Sequence, residues 1–169
     1  MRTEAMARAP SSTRRGALKL SLAGLGLATF GPSLFAQVSP GSNQIKVWKD
    51  PACGCCGDWI AHLQQSGFQV EVINTGNAAA RKRLGVPEKL GSCHTAQIEG
   101  YAIEGHVPAS EIRRLLKERP RAVGLTVPGM PVGSPGMDGP AYGGRKDPYD
   151  VLLIGLDGTT RTYQSYHRG

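Results

Sequence analysis

The stretch QIKVWKDPACGCCGDWIAHLQQSGFQVEVI, residues 44–73, decides the fold. Residues 44–49 alternate apolar and polar side chains, the period of a half-buried strand. Asp50-Pro51 breaks the strand with turn chemistry. Trp59, Ile60 and Leu63 then recur at helical spacing and Gly67 supplies a stop, which predicts a helix from Cys55 to Ser66. Phe68 to Ile73 alternates again and reads as a second strand. The result is a β-α-β unit whose first turn carries Cys53-Gly54-Cys55-Cys56, the place where a thioredoxin-type dithiol belongs.

Downstream, Ala78 to Leu84 reads as a short helix stopped at Gly85. Residues 95–99 and 101–104 flank Gly100 as a hairpin, and Pro108 opens a helix with Ile112, Leu115 and Leu116 as its apolar stripe. Residues 121–148 differ in kind: seven are Gly, five are Pro, and no period is visible. Such a segment reads as a functional or unstructured loop. Residues 150–156 and 159–166, joined at Asp157-Gly158, close the chain as a hairpin. The expected fold is α/β and thioredoxin-like, β-α-β-α-β-β-α, with a Gly/Pro/Met-rich loop and an appended C-terminal hairpin, over residues 44–169. Trp48 and Trp59 are expected in its core.

Upstream, residues 1–36 look like an export signal. A basic stretch ends in Arg14-Arg15, a weakly apolar run follows from Ala17 to Phe30, and Ala36 offers a small residue for cleavage, although Leu34 is an unusual residue two positions before it. The paired arginines before Leu18-Lys19 resemble the twin-arginine type. The apolar run is too short and glycine-rich for a spanning helix. Residues 37–43 form a polar linker. Export sets the expected location as the periplasm, where disulfides are permitted.

The chain's formal charge of +7 comes largely from that leader: residues 37–169 hold 15 basic and 12 acidic side chains, a net of +3. The one tight basic cluster, Arg81-Lys82-Arg83, has no aromatic beside it and reads as a solvated helix face, so no nucleic-acid surface is expected.

The three clustered cysteines carry the chemistry. A helix N-terminus stabilises thiolate, the form that attacks disulfides and also the form that binds metal. Two thiols suffice for disulfide exchange, whereas a third between them suits a soft ion, because thiolate and thioether ligands select Cu(I). Cys93-His94 precedes a hairpin strand that would face the dithiol, at the place where thioredoxins carry a cis-proline. His106 ends the hairpin. Met130 and Met137 are the only methionines after residue 36, and they lie amid Gly and Pro rather than on a helix face.

Each of these residues has a plainer reading. The cluster cysteines could form a structural disulfide, although adjacent cysteines pair with each other only with difficulty. Cys93 could pair with the cluster, the histidines could be ordinary hydrogen-bonded groups, and the methionines could pack a loop. His62 reads as a surface residue and His167 as unconstrained. Zinc usually takes two separate C-x-x-C pairs, and the packed CGCC does not match ferredoxin spacings.

The strings KDPACGCCGDWIAHL, LGSCHTAQIEGYAIEGHVPASEIRRLL, GLTVPGMPVGSPGM and DPYDVLLI together resemble the CopG-like family of exported copper-resistance proteins. The resemblance covers about residues 45–166. It implies a thioredoxin-like fold with copper, Cu(I) or Cu(II), held by the cysteine cluster. Carried onto this chain, it gives Cys53, Cys55, Cys56 and Cys93 as thiol ligands and His94, His106, Met130 and Met137 as auxiliary ligands. The expected function is copper binding in resistance or homeostasis, with more than one ion accommodated by bridging thiols and a periplasmic efflux or redox protein as partner. The competing expectation is a thiol-disulfide or copper-dependent oxidoreductase.

Overall fold

The computed structural model describes residues 43–168. The export signal expected over 1–36 and all of the linker but Asn43 lie outside those residues.

Strand β1 (Gln44–Lys49) buries Ile45, Val47 and Lys49 in alternation. Lys49 is tolerated there because its Nζ donates to the Asp50 carbonyl at 2.8 Å and lies 3.4 Å from Asn74 Oδ1. Helix α1 (Gly54–Gln65) follows, with Cys56, Trp59, Ile60 and Leu63 buried, the spacing of a single helix face. Gly67 stops it in a left-handed conformation at φ +83°. β2 (Gln69–Ile73) returns parallel to β1. Helix α2 (Ala78–Arg83) leads through a short 3₁₀ turn to β3 (His94–Ile98), antiparallel to β1, and β4 (Tyr101–Glu104) pairs with β3. The two-residue turn between them has positive φ at both Glu99 and Gly100, the hairpin geometry that matches strand twist. Helix α3 (Ala109–Glu118) crosses over to β5 (Gly124–Thr126), and β6 (Tyr149–Ile154) and β7 (Thr160–Tyr166) complete the sheet.

All seven strands form one mixed sheet in the order β2-β1-β3-β4-β5-β6-β7. Trp59, Ile60 and Leu63 of α1 and Ile112 and Leu115 of α3 bury one face, against Ile45, Val47, Ala96, Ile98, Ile103, Leu125, Val151 and Leu153. Residues that alternate with these, such as Ala102 and Ile154, point the other way and pack with Val86 and Leu90 beneath α2.

Several expectations differ from the structure. The 121–148 segment is not wholly without structure: β5 lies in it, pairing parallel with β4 and antiparallel with β6. The C-terminal hairpin is therefore a continuation of the sheet, and the pattern was missed because three strand residues are too few to show a period. Trp48 is only half-buried and lies beneath the Arg83 guanidinium, since its neighbours in β1, not Trp48, face α1. Arg81 is buried, not solvated, because an acidic partner, Glu104, waits on β4. His62 is half-buried, with its Nε2 accepting the Ala109 N–H at 3.1 Å. Its pKa is lowered, by burial first, with nearby Asp138 opposing.

Candidate metal centre

The centre forms where α1 begins and where the chain enters and leaves the β3–β4 hairpin. Asp50 builds the turn before α1, its carboxylate accepting the Ala52 N–H at 2.8 Å and its carbonyl accepting the Cys53 N–H at 3.1 Å. Cys53 is thereby the N-cap, and Cys55 and Cys56 fall in the first helical turn. Cys56 faces inward and is fully buried; Cys53 and Cys55 are half-buried.

In this structure Cys53 and Cys56 are joined as a disulfide, with their Cα atoms 5.5 Å apart. The two free cysteines are Cys55 and Cys93. The structural-disulfide alternative thus describes this state of the C-x-x-C, with the non-adjacent pair bonded as geometry favours. The sulfurs are nonetheless gathered: Cys55 Sγ lies 3.6 Å from Cys53 Sγ, 3.8 Å from Cys93 Sγ and 4.0 Å from Met130 Sδ.

Two imidazoles close the other side. His94 Nδ1 is 3.3 Å from Cys93 Sγ, and His106 Nε2 is 3.2 Å from it. The far nitrogen of each ring donates to a backbone carbonyl: His94 Nε2 to Gly105 O at 2.9 Å, His106 Nδ1 to Pro135 O at 2.8 Å. A carbonyl only accepts, so the proton is assigned to that far nitrogen in each ring, and the lone pair of each points at Cys93. Second partners of this kind are what orient metal-ligating histidines. Trp59 supports His94 from below, with ring centroids 4.2 Å apart and its Nε1 donating to Val107 O at 2.9 Å.

Burial dominates the electrostatics. It pulls His94 down to about 3, helped by the neighbouring His106 and Lys49 and opposed by Gly105 O. His106 is lowered too, chiefly by burial. Burial, then the nearby Cys55, pushes the Cys93 thiol up to about 12. At neutral pH His94, His106 and Cys93 are therefore uncharged in the metal-free protein. Cys93, with the unprotonated nitrogens of His94 and His106 beside its sulfur, would hold a soft cation there, and binding would release the Cys93 proton.

The Gly/Pro-rich loop covers the site. It brings the Met130 sulfur to Cys55 and the Pro135 carbonyl to His106. Gly136, at φ +84°, allows this docking: a Cβ there would stand 2.7 Å from Trp59 N and 2.8 Å from Cys55 O on α1. The Met137 sulfur accepts the Tyr142 hydroxyl at 3.2 Å, a contact within the loop. His167, expected to be unconstrained, sets its Nε2 3.2 Å from Gly133 O on the same loop.

Two overlapping groups of donor atoms each lie within 4.8 Å of one another: Cys53, Cys55, Cys56 and Cys93, and Cys93, His94 and His106. Thiol, imidazole and thioether are the donors that Cu(I) prefers, so the residues fit a soft ion. Sequence reasoning missed the support: Trp59 beneath His94, the two carbonyls behind the rings, and the Arg81–Glu104 pair. Only the last had a signal, an acidic residue on an expected strand near an expected basic helix.

A family described as a protein of unknown function, DUF411, matches residues 90–137, the segment from Leu90 that carries Cys93, His94, His106, Met130 and Met137. Two solved structures of a copper resistance protein, CopG, are similar over most of the described chain. Form 1 is 47% identical, with 73% of this chain and 96% of that chain covered and a TM-score of 0.67. Form 2 is 46% identical, with 73% and 98% covered and the same TM-score, 0.67. No curated protein matches.

Proposed function

The chain belongs to the family of the copper resistance protein CopG, and from that premise we propose that it is an exported, periplasmic protein that binds Cu(I) and contributes to copper resistance. Two donor sets that meet at Cys93, the four cysteines on one side and Cys93 with His94 and His106 on the other, carry this reading. The ligands are Cys55, Cys93, His94 and His106, joined by Cys53 and Cys56 when their disulfide is reduced, with Met130 and Met137 as thioether donors from the loop. Copper supplies a thiophilic, redox-active centre there. The protein's part is to hold two imidazoles in fixed tautomers and to release the Cys93 proton. Several sulfurs within 4 Å of their neighbours favour bridged ions over a single one.

The finer architecture is thioredoxin-like. The strand order β2-β1-β3-β4, with β1 and β2 parallel and β3 and β4 antiparallel, supports this, as does the C-x-x-C at the N-terminus of α1. No helix among the described residues is long and apolar enough to cross a membrane. The twin-arginine pattern of residues 1–36 is the basis for placing the protein in the periplasm, where an efflux or redox protein would be its partner.

The disulfide favours one second reading, a thiol-disulfide or copper-linked oxidoreductase: a C-x-x-C disulfide with a free thiol 3.6 Å from one sulfur is the arrangement that exchange requires. Anaerobic Cu(I) loading of the reduced protein, with metal counted by elemental analysis, tests the first reading. A Cys53/Cys55/Cys56 triple serine variant is expected to lose most of the copper. Full retention contradicts the proposal. Insulin reduction by the metal-free protein would favour the second.

A further inference from the structure

On the face of the sheet away from α1, an ion pair grips the residue from which Cys93 hangs. Thr95 and Glu104 alternate with His94 and Ile103, so they face α2 while His94 faces α1. Glu104 is fully buried. Its Oε1 accepts Arg81 Nε at 2.9 Å and the Ser92 backbone N–H at 2.6 Å, and its Oε2 accepts the Thr95 hydroxyl at 2.6 Å. The Arg81 guanidinium reaches past the carboxylate to donate to the Ser92 carbonyl at 2.5 Å, where the Asn77 side-chain amide also donates at 3.1 Å. Both backbone polar groups of Ser92 are therefore held by one pair, the N–H by the carboxylate and the C=O by the guanidinium. The Ser92 hydroxyl extends the grip, donating at 2.5 Å to the carbonyl of Gly129, the residue before Met130.

Every neighbour of the Glu104 carboxylate is a donor, so its ionised form satisfies the network and a protonated one would leave a hydrogen facing donors. Burial pushes that carboxyl up, and the Thr95, Ser92 and Arg81 donors oppose it. A buried ion pair is a weak source of stability, because desolvation offsets much of its attraction. What this pair does instead is specific in space: carboxylate and guanidinium both bond to the backbone of one residue, Ser92, which directly precedes the thiol at the middle of the centre.

We infer that Arg81 and Glu104 are positioning residues, which act through Ser92 to fix Cys93 Sγ against His94, His106 and Cys55. Only the metal arm of the test rests on the copper reading. The rival role is structural, an ion pair that merely holds α2 to the sheet. The two separate in an Arg81→Met/Glu104→Met double variant, in which apolar side chains of similar length replace the pair and preserve packing.

The first readout needs no metal. In a Cys55→Ser background with the Cys53–Cys56 disulfide closed, Cys93 is the one free thiol. Its rate of alkylation by iodoacetamide is expected to change about threefold or more in the double variant, since thiol reactivity follows access and local environment. The melting temperature and far-UV spectrum report whether the variant is folded. A folded double variant with the parent alkylation rate overturns the inference. If the double variant does not fold, Glu104→Gln takes its place: it keeps the shape and removes the charge, and the same rate change is expected, an unchanged rate in the folded variant again being fatal. The second readout is Cu(I) affinity of the reduced protein, with Cys55 restored, by chelator competition, expected to fall about 10- to 100-fold, as for other residues that orient metal ligands. If the alkylation rate shifts while the parent protein takes up no copper, the positioning role stands and the copper reading falls.

Discussion

Replacing Gly136 by alanine tests whether the loop is part of the centre or only lies over it. The added Cβ would sit 2.7 Å from Trp59 N, 2.8 Å from Cys55 O and 3.1 Å from Trp59 Cα, all atoms of the α1 backbone that cannot turn aside. The residue also sits at φ +84°, where a side chain costs about 1–2 kcal/mol. Overpacking adds about 1–3 kcal/mol. A docked loop would thus carry about 2–5 kcal/mol of strain. The easier response is for the loop to lift: an outward shift of about 0.7 Å restores ordinary contact, and it stretches the 2.8 Å bond from His106 to Pro135 O toward the 3.5 Å limit of a hydrogen bond. His106 then loses the partner that fixes its tautomer, and Met130 withdraws from Cys55. The expected outcome is a small fall in melting temperature with a loss of about 10- to 100-fold in Cu(I) affinity, read by calorimetry and by competition with a chromogenic chelator. A variant that keeps both its melting temperature and its affinity would refute the assignment of the loop to the site.

Three further outcomes follow from the same geometry. Reduction of the Cys53–Cys56 disulfide, which takes two electrons and two protons, is expected to raise the copper bound per chain; equal uptake by the oxidised and reduced protein in anaerobic titration would exclude Cys53 and Cys56 as ligands. Met130→Leu is expected to weaken Cu(I) binding more than Met137→Leu, because Met130 Sδ is 4.0 Å from Cys55 Sγ while Met137 Sδ is engaged by Tyr142; the reverse order in competition assays would show that the loop rearranges on loading. The metal-free protein is expected to lose stability on acidification. Unfolded, His94 gains its proton near pH 6.5, whereas in the fold it stays neutral down to about pH 3. Between those values the unfolded state binds the extra proton, and the unfolding free energy falls with a slope approaching about 1.4 kcal/mol per pH unit from this one group. A His94→Gln variant is expected to flatten that limb in urea denaturation followed from pH 7 to pH 4, and an identical slope in the variant would assign the loss to other groups.

The first half of the fold was legible because its signals are local. Alternation in residues 44–49 and the 56, 59, 60, 63 face of α1 each lie within one element, and the cysteine turn sits between them. The gathering of Cys93, His94 and His106 was legible at one remove, since hairpin topology brings the two ends of β3 and β4 together. The parts that escaped depend on long-range pairing. Strand β5 is three residues long and becomes a strand only by pairing with β4 and β6, and Arg81 is indistinguishable from its solvated neighbours until Glu104 is placed opposite it. The oxidised state of Cys53 and Cys56 is likewise a choice among pairings that spacing leaves open.

X-ray absorption at the copper edge, on the reduced protein loaded anaerobically with Cu(I), tests the centre most directly. A first shell of sulfur with a minor nitrogen component is expected in the native protein, with sulfur diminished in Cys93→Ser and nitrogen diminished in a His94→Gln/His106→Gln double variant. A shell of nitrogen and oxygen alone, or one unchanged by the loss of Cys93, would mean that copper does not bind where these side chains meet.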